Sequence, residues 1–312
     1  MNTTEFYLKT SKKHKIFVIT TGRKTSFPIL LLHGGPGGSS KTSHLSYLPD
    51  RESFFIIQFD QRACGKSLPV GEIEKNSTND LIKDIESIRE KLKIDRWAVI
   101  GGSWGSTLAL LYAQKHPERV HALFLRSIFL ARRKDLLWLI RKDGAGNFLP
   151  DFLKQSEKIA EGLSLKRDHL FFKKTYQLFL KTKNSALKKE IARLILGFEY
   201  SISSLDLKIE LPYPEDIDEN LLNSTKIFLH YASNNFFIEE NQILKNIKKI
   251  QNIPVFIVHG RYDLICPPEQ AYTLYQSLPK AKLFWDNFAG HSLSYTGKMA
   301  VRDQIKNFFR KK

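Results

Sequence analysis

Short apolar runs alternate with segments of helical periodicity in the first part of the chain. Three runs contain almost no polar residue, at 28–32, 54–59 and 97–100, which is typical of strands buried on both faces of a sheet. Between the last two, residues 78–93 place apolar side chains at helical spacing, with Thr78 or Asn79 as the candidate N-cap. The pattern predicts an α/β fold with a mostly parallel central sheet flanked by helices.

Other segments extend the same sheet. Residues 5–10 and 15–22 predict the two strands of an N-terminal hairpin. After the run at 97–100 we expect a helix from Trp104 to about His116, and then another strand at 120–127. The order of these elements again favours strands joined by helical crossovers.

The pattern changes between residues 129 and 248, where helical and irregular segments rich in Leu, Phe and Lys replace the buried strands. The alternation resumes with a strand at 253–260, a helix after Pro267 and Pro268, a short strand at 282–288 and an amphipathic helix at 297–312. We therefore expect a discontinuous core, formed by residues 1–128 and 249–312, with residues 129–248 inserted as a helical cap.

The amino-acid composition limits the classes of protein to which the chain can belong. Of the 312 residues 42% are apolar, enough for a sizeable core, and we find no apolar run that would span a membrane and no signal-like N-terminal segment. The net charge of +17 is spread in short clusters without interleaved aromatic residues, so it favours solvated faces over a nucleic-acid or anionic-surface site. Cys64 and Cys266 match no metal spacing and predict reduced thiols. We expect a soluble cytoplasmic protein without nucleic-acid or membrane partners; the oligomeric state stays open.

The most informative motif is G-x-S-x-G at residues 101–105, where an apolar strand ends and a helical pattern starts at once. Such a motif sets a serine on a sharp strand-to-helix turn, with its hydroxyl exposed at the carboxyl edge of the sheet. The flanking glycines leave room for the tight backbone. We predict that Ser103 is a nucleophile; the alternative is an ordinary serine in a glycine-rich turn.

A serine hydroxyl becomes a good nucleophile only when a base, oriented by a carboxylate, removes its proton. Asp263 and His291 each follow one of the last two predicted core strands, so both are expected at the carboxyl edge of the sheet. Among the other histidines, His259 falls in a strand end and His116 precedes a proline at a helix end. We predict His291 as the general base and Asp263 as the acid that orients it. The alternatives are a packed histidine and a turn-forming aspartate.

Attack by the serine creates an oxyanion that needs two backbone N–H donors in fixed positions. Trp104, the residue after the nucleophile, is expected to provide one donor. Gly35, in the loop HGGPGG at 33–38, is expected to provide the other, because glycines let the backbone approach a substrate closely. This chemistry requires no metal and no organic cofactor.

Five motifs together resemble those of the prolyl aminopeptidase (proline iminopeptidase) branch of the α/β-hydrolases. They are HGGPGG at 33–38, DQRACGKS at 60–67, GGSWGSTLAL at 101–110, GRYDLICPP at 260–268 and AGHS at 289–292. The resemblance runs over most of the chain and implies an α/β-hydrolase fold with a helical cap. It also implies a serine aminopeptidase that releases N-terminal proline, or a small apolar residue, from short peptides with a free N-terminus through an acyl-enzyme intermediate.

The resemblance further implies substrate-binding residues. Glu199 matches the glutamate of the family's W-E-x-x-x-x-x-L segment and is the candidate partner of the substrate ammonium group, which is costly to bury alone. Phe129 and Phe236 match aromatic residues that form the family's proline pocket. The alternatives are a surface glutamate for Glu199 and core packing for the two phenylalanines.

The chain departs from the family pattern inside the predicted cap. Ala232 stands where a second amine-binding glutamate is usual, and Phe198 replaces the tryptophan before Glu199. Leu139 and Ile140 stand where the family has tyrosines. These changes leave the predicted triad intact but are expected to weaken recognition of the amine. An esterase or amidase with a relaxed N-terminal requirement is therefore the first alternative, and a nucleic-acid or anionic-surface binding protein a remote one.

Overall fold

Eight strands form one sheet in the computed structural model, which describes residues 2–203, 205 and 211–310, with the side chains of 198–201 left aside. The strands are β1 (Thr3–Lys9), β2 (Lys15–Thr21), β3 (Phe27–Leu32), β4 (Phe54–Phe59), β5 (Trp97–Ser103), β6 (Val120–Ile128), β7 (Val255–Gly260) and β8 (Ala281–Asp286). Their spatial order is β1-β2-β4-β3-β5-β6-β7-β8. The pairs β1–β2 and β2–β4 are antiparallel, and the six strands from β4 to β8 in this order are parallel. The predicted hairpin and parallel sheet are confirmed, and the carboxyl ends of six strands meet at one edge.

Ten helices accompany the sheet in the described part of the chain. They are α1 (Thr78–Leu92), α2 (Trp104–Lys115), α3 (Arg133–Trp138), α4 (Pro150–Gly162), α5 (Phe171–Lys181), α6 (Ser185–Ile202), α7 (Glu219–Ser233), α8 (Gln242–Lys245), α9 (Pro268–Gln276) and α10 (Tyr295–Phe309). Short 3₁₀ turns lie at Thr42–Tyr47, Pro117–Arg119, Ala145–Asn147, Pro214–Asp216, Asn235–Phe237 and Ile247–Ile250. No helix in the described ranges has the length and apolar character needed to cross a membrane.

The helices α3 to α8 all lie between β6 and β7 in the chain, in the segment that the sequence predicts as an inserted cap. No strand interrupts them among the residues that the structure describes there. The division of the chain at residues 129 and 248 stays a prediction.

Burial on both faces explains the continuous apolar runs. Successive side chains of a strand point to opposite faces, and in β3 the residues Leu30 and Leu32 join the core that includes α1 and α2. Ile29 and Leu31 join a second core that includes α10. Because both faces are covered, polar alternation is lost, as in other parallel sheets.

The N-terminus of α1 differs from the prediction by one residue. Ser77, not Thr78 or Asn79, is the N-cap. Its backbone N–H donates to the Asp80 carboxylate at 3.1 Å, and its hydroxyl accepts from the Asp80 backbone N–H at 3.3 Å. This reciprocal capping box satisfies two donors at the helix start. The Thr78 hydroxyl instead donates to the carbonyl of Phe236, which ties α1 to the end of the cap segment.

Candidate active site

Ser103 stands at the turn between β5 and α2, where the sequence places the elbow. Its φ of 55° and ψ of −129° are unusual for a non-glycine residue, and such backbone strain is concentrated at functional sites. A Cβ at Gly101 would lie 2.2 Å from the carbonyl oxygen of Gly105, and a Cβ at Gly105 would lie 2.4 Å from that of Leu32. The two glycines of the motif are therefore required because backbone passes where a side chain would stand.

Asp263 and His291 are in contact although 28 residues separate them. The His291 Nδ1–H donates to the Asp263 carboxylate, at 2.9 Å from Oδ2 and 3.1 Å from Oδ1. The backbone N–H groups of Ile265 and Cys266 donate to Oδ1 at 3.0 and 2.8 Å. With its proton on Nδ1, neutral His291 has Nε2 as its basic nitrogen. The pair therefore has the geometry of an orienting acid and a general base.

Electrostatics favour the charged form of this carboxylate. Burial by itself raises the pKa of Asp263, but the charge and hydrogen bond of His291 and the hydrogen bond from the Cys266 N–H offset that effect and hold the pKa below its ordinary value. Asp263 is therefore an anion at neutral pH, suited to stabilise an imidazolium on its neighbour.

The strand β6 also contributes to the position of His291. The Ser127 hydroxyl is buried and donates to the backbone carbonyl of His291 at 2.8 Å. Ser127 itself has a φ of 47° and lies where β6 ends. The loop that carries the predicted base is thus held from its backbone side as well as from its ring.

The glycine loop after β3 lies against the nucleophile. A Cβ at Gly34 would lie 3.4 Å from the Cβ of Ser103. Gly35 has a φ of +121°, and a Cβ there would lie 2.6 Å from the backbone nitrogens of Gly37 and Gly38, so only glycine fits. Trp104 is the first residue of α2, where backbone N–H groups are unpaired within the helix and the helix dipole favours negative charge. Both predicted oxyanion donors therefore lie beside Ser103.

Gln61, a buried glutamine with no predicted role, connects the Trp104 side chain to His33 at the start of the glycine loop. The Trp104 indole N–H donates to Gln61 Oε1 at 2.9 Å, while Gln61 Nε2 donates to the carbonyl of His33 at 2.9 Å. The Gln61 backbone N–H also donates to Nε2 of His33 at 3.0 Å. The available signal was a polar residue two positions after the end of the buried strand β4, inside the motif DQRACGKS.

Ser103 opens on a small cavity of about 50 Å³. Its lining consists of Gly35, Ser103, Phe129, Leu136, Leu139, Ile195, Leu196, Phe228, Ile265 and Cys266. Apart from the serine and the cysteine, these side chains are apolar, and the described lining includes no carboxylate. The space suits a small apolar group held next to the nucleophile.

The predicted substrate-binding residues are placed differently from one another. Phe129 lines the cavity, whereas Phe236 is not part of the lining. The Phe236 ring stacks on Trp104 at 5.5 Å and meets Phe129 edge-on at 5.2 Å, so it supports both residues from behind. The Glu199 side chain lies outside the described residues. Ala232 is buried in α7 and is not among the lining residues.

The cap segment touches both loops of the site. The Trp138 indole on α3 donates to the carbonyl of Leu264 at 2.8 Å, next to the predicted acid. The Ser224 hydroxyl on α7 donates to the carbonyl of Gly37 at 2.8 Å, in the glycine loop. A movement of α3 would therefore act on the loop of Asp263, and a movement of α7 would act on the glycine loop beside Ser103.

One group of side chains has the donor types of a metal site. Asp263, Cys266 and His291 each offer an atom within 4.8 Å of the others. However, Asp263 Oδ1 already accepts two backbone N–H groups, and His291 Nδ1 donates to the same carboxylate. A ligating imidazole nitrogen must carry no proton, so His291 Nδ1 and Asp263 form a hydrogen-bonded acid–base pair and not two ligands of one metal ion.

The sheet order, the elbow at Ser103 and the Asp–His pair on the later loops define an α/β-hydrolase. Residues 28–298 match the family model described as the alpha/beta hydrolase fold. Among solved structures, an α/β hydrolase from a Medee basin deep-sea metagenome library superposes with a TM-score of 0.66 at 17% identity, covering 98% of this chain and 97% of the other. The 2-hydroxy-6-oxo-6-phenylhexa-2,4-dienoate hydrolase of Rhodococcus sp. strain RHA1 gives 0.62 at 18% identity, covering 99% of both chains. These structures share the fold.

Sequence relatives show to which branch of the α/β-hydrolases the chain belongs. The chain is 38% identical over 308 residues to a probable proline iminopeptidase of Leptolyngbya boryana, covering 98% of this chain and 94% of the relative. It is 37% identical to a proline iminopeptidase of Arabidopsis thaliana, covering 93% and 75% of the two chains. It is 39% identical to a proline iminopeptidase of Neisseria meningitidis serogroup A, covering 89% and 87%. The chain belongs to the proline iminopeptidase family, and the resemblance noted from its motifs is confirmed.

Proposed function

We propose that the chain is a serine aminopeptidase that releases proline from the N-terminus of short peptides. The observation that carries the proposal is the 2.9 Å bond between His291 and Asp263 on the loops after β8 and β7, at the same sheet edge as the strained Ser103. The names of the relatives support the substrate class. We infer a cytoplasmic location, in keeping with the buried thiols Cys64 and Cys266.

The site suggests a two-step acyl transfer. His291 Nε2 takes the proton of the Ser103 hydroxyl as its oxygen attacks the carbonyl carbon of the N-terminal residue. The backbone N–H groups of Gly35 and Trp104 stabilise the oxyanion. Asp263 stabilises the imidazolium, which then protonates the leaving amine. Water, deprotonated by the same imidazole, hydrolyses the acyl-enzyme and regenerates the serine.

Selectivity is assigned to the cavity and the cap. Phe129 and the aliphatic lining would accommodate a pyrrolidine ring or a small aliphatic side chain. We assign recognition of the free ammonium group to Glu199, because a buried ammonium needs a carboxylate partner and the described lining supplies none.

The same lining favours one alternative, an esterase or amidase that accepts substrates without a free amine. Ala232 replaces the second carboxylate expected from the family pattern, and the described lining is apolar apart from Ser103 and Cys266. This candidate uses the same nucleophile, base and acid and differs only in what the cap requires.

A substrate panel separates the two functions. Rates are measured on proline p-nitroanilide, on its N-acetylated form and on a p-nitrophenyl ester at one pH. An aminopeptidase should prefer the unblocked anilide at least about 30-fold, since losing one partner of a buried charge pair costs about 2 kcal/mol or more. Equal rates on the free and blocked anilides would favour the esterase or amidase instead.

A further inference from the structure

His259 is a fully buried histidine for which the proposed mechanism has no role. It is 0% exposed and lies in β7, one residue before the strand ends. Its ring meets the Trp285 ring edge-on, with centroids 6.0 Å apart. A completely buried imidazole is costly unless both of its nitrogens are hydrogen-bonded, so its partners indicate why it is there.

The side chain of His259 fills a gap between two strands. The register of β6 with β7 ends at the pair Arg126–Val258, and β6 then continues through Ser127 to Ile128. The Ile128 backbone N–H donates to His259 Nδ1 at 3.0 Å. The other nitrogen, Nε2, is 2.9 Å from the backbone carbonyl of Cys266 and donates to it. The imidazole thus joins β6 to the loop that carries Asp263.

These partners fix the protonation state of the ring. Nδ1 accepts from an N–H group and therefore carries no proton, while Nε2 faces a carbonyl and carries one. Burial also lowers the pKa of His259, in agreement with a neutral imidazole. His259 Nε2 lies 3.5 Å from Asp263 Oδ2, and His291 Nδ1 lies 2.9 Å from the same oxygen, so two imidazoles lie beside the carboxylate.

These hydrogen bonds, together with the backbone link from Ser127 to Ile128, form a closed ring that includes Asp263 and His291. The Cys266 backbone N–H donates to the Asp263 carboxylate and its carbonyl accepts from His259. His291 donates to Asp263, and the carbonyl of His291 accepts from the hydroxyl of Ser127, the residue before Ile128. His259 completes this ring, because its Nδ1 accepts a hydrogen bond from the Ile128 backbone N–H.

We propose that His259 is a positioning residue that holds residues 263–266 at the distance from β6 at which Asp263 meets His291. The inference rests on the triad roles proposed above. It assigns to His259 no contact with substrate; its effect passes through the carboxylate. A displacement of reacting groups by about 1 Å can cost about 100-fold in rate, which sets the scale of the expected effect.

The test compares three substitutions. His259→Phe keeps the ring against Trp285 but removes both polar links. His259→Gln has an amide N–H long enough to reach the Cys266 carbonyl, whereas the shorter side chain of His259→Asn retains only the acceptor toward Ile128. On the p-nitrophenyl ester, we expect His259→Phe to lower kcat about 100-fold with KM within about 2-fold of wild type. His259→Gln should recover most of kcat and His259→Asn less.

A spectroscopic measurement accompanies the kinetics. The low-field proton resonance of the hydrogen bond between His291 and Asp263 should weaken or shift in His259→Phe and persist in His259→Gln. A folded His259→Phe with wild-type kcat, or one in which KM alone changes, would overturn the proposal. If near-UV circular dichroism shows that His259→Phe does not fold, equal kcat values for the Gln and Asn variants would overturn it.

A further variant separates this inference from the proposed function. Asp263→Asn should lower kcat by about 10⁴-fold if Asp263 is the orienting acid. An active Asp263→Asn would refute the triad itself. An inactive Asp263→Asn together with a fully active His259→Phe would refute only the role of His259.

Discussion

Alanine at position 105 is the sharpest structural test of the elbow. A Cβ on Gly105 would lie 2.4 Å from the carbonyl oxygen of Leu32 and 2.9 Å from that of His33. Both are backbone atoms, so no side chain can rotate away. The distance to Leu32 must open by about 1 Å to reach the ordinary contact distance of 3.4 Å.

This displacement acts directly on the site. Gly105 is the second residue of α2, directly after Trp104, and the opposing backbone leads into the loop of Gly35. Opening the contact therefore moves Ser103 and the two predicted oxyanion donors relative to one another. A misplacement of about 1 Å corresponds to a loss of about 100-fold in kcat, or about 2.7 kcal/mol of transition-state stabilisation. Overpacking should also lower the free energy of unfolding by about 1–3 kcal/mol.

The assay measures kcat and KM of Gly105→Ala on proline p-nitroanilide and on the ester, with urea unfolding of each preparation. Gly162→Ala is the matched control, because a Cβ at Gly162 meets nothing within 4 Å. It should retain the kcat of the wild type. A Gly105→Ala protein with unchanged kcat would refute the reasoning, since it would show that the elbow tolerates a side chain where the structure places backbone.

Two further predictions address recognition and pH. Glu199→Gln should lower kcat/KM about 30-fold on substrates with a free amine, the cost of losing one charge from a buried pair, and leave the ester rate unchanged; equal losses on both substrates would give Glu199 a structural role. Burial lowers the pKa of both His33 and His259, so the unfolded chain takes up protons near pH 6.5 that the folded chain binds only at lower pH. The free energy of unfolding should therefore fall with pH below 6.5, by up to about 1.4 kcal/mol per pH unit for each histidine; urea unfolding at pH 7.5, 6.5 and 5.5 checks this, and a value that is constant or rises toward pH 5.5 would contradict it.

The sheet could be predicted because its pattern is local. In β3 every residue from Ile29 to Leu32 is buried, and this single physical condition produces an apolar run that can be read without knowing its neighbours. The elbow can also be recognised locally, because its motif spans only Gly101 to Gly105, although the contact that excludes a side chain at Gly105 comes from Leu32 on the adjacent strand. Short-range patterns of this kind need no knowledge of the tertiary structure.

The missed features depend on contacts between distant parts of the chain. Gln61 joins His33 to Trp104, and His259 joins Ile128 to Cys266, through pairings that no periodicity encodes. The position of Phe236 behind Trp104, outside the cavity lining, likewise follows from how the cap segment returns to the core.

The N-cap at Ser77 is a smaller case of the same kind. Ser77, Thr78 and Asn79 are all good N-cap residues, and the choice among them depends on the reciprocal bonds with Asp80 and on the buried contact from Thr78 to Phe236. The first bond is local, but the second joins residues 158 positions apart.

The central claim is that Ser103 is the nucleophile, and turnover of proline p-nitroanilide by purified Ser103→Ala tests it most directly. Removing a nucleophile of this type costs on the order of 10⁶-fold in kcat, so the variant should be folded, with the unfolding transition of the wild type, and should show no hydrolysis above background. Substantial hydrolysis by the pure, folded variant would contradict the assignment of the site.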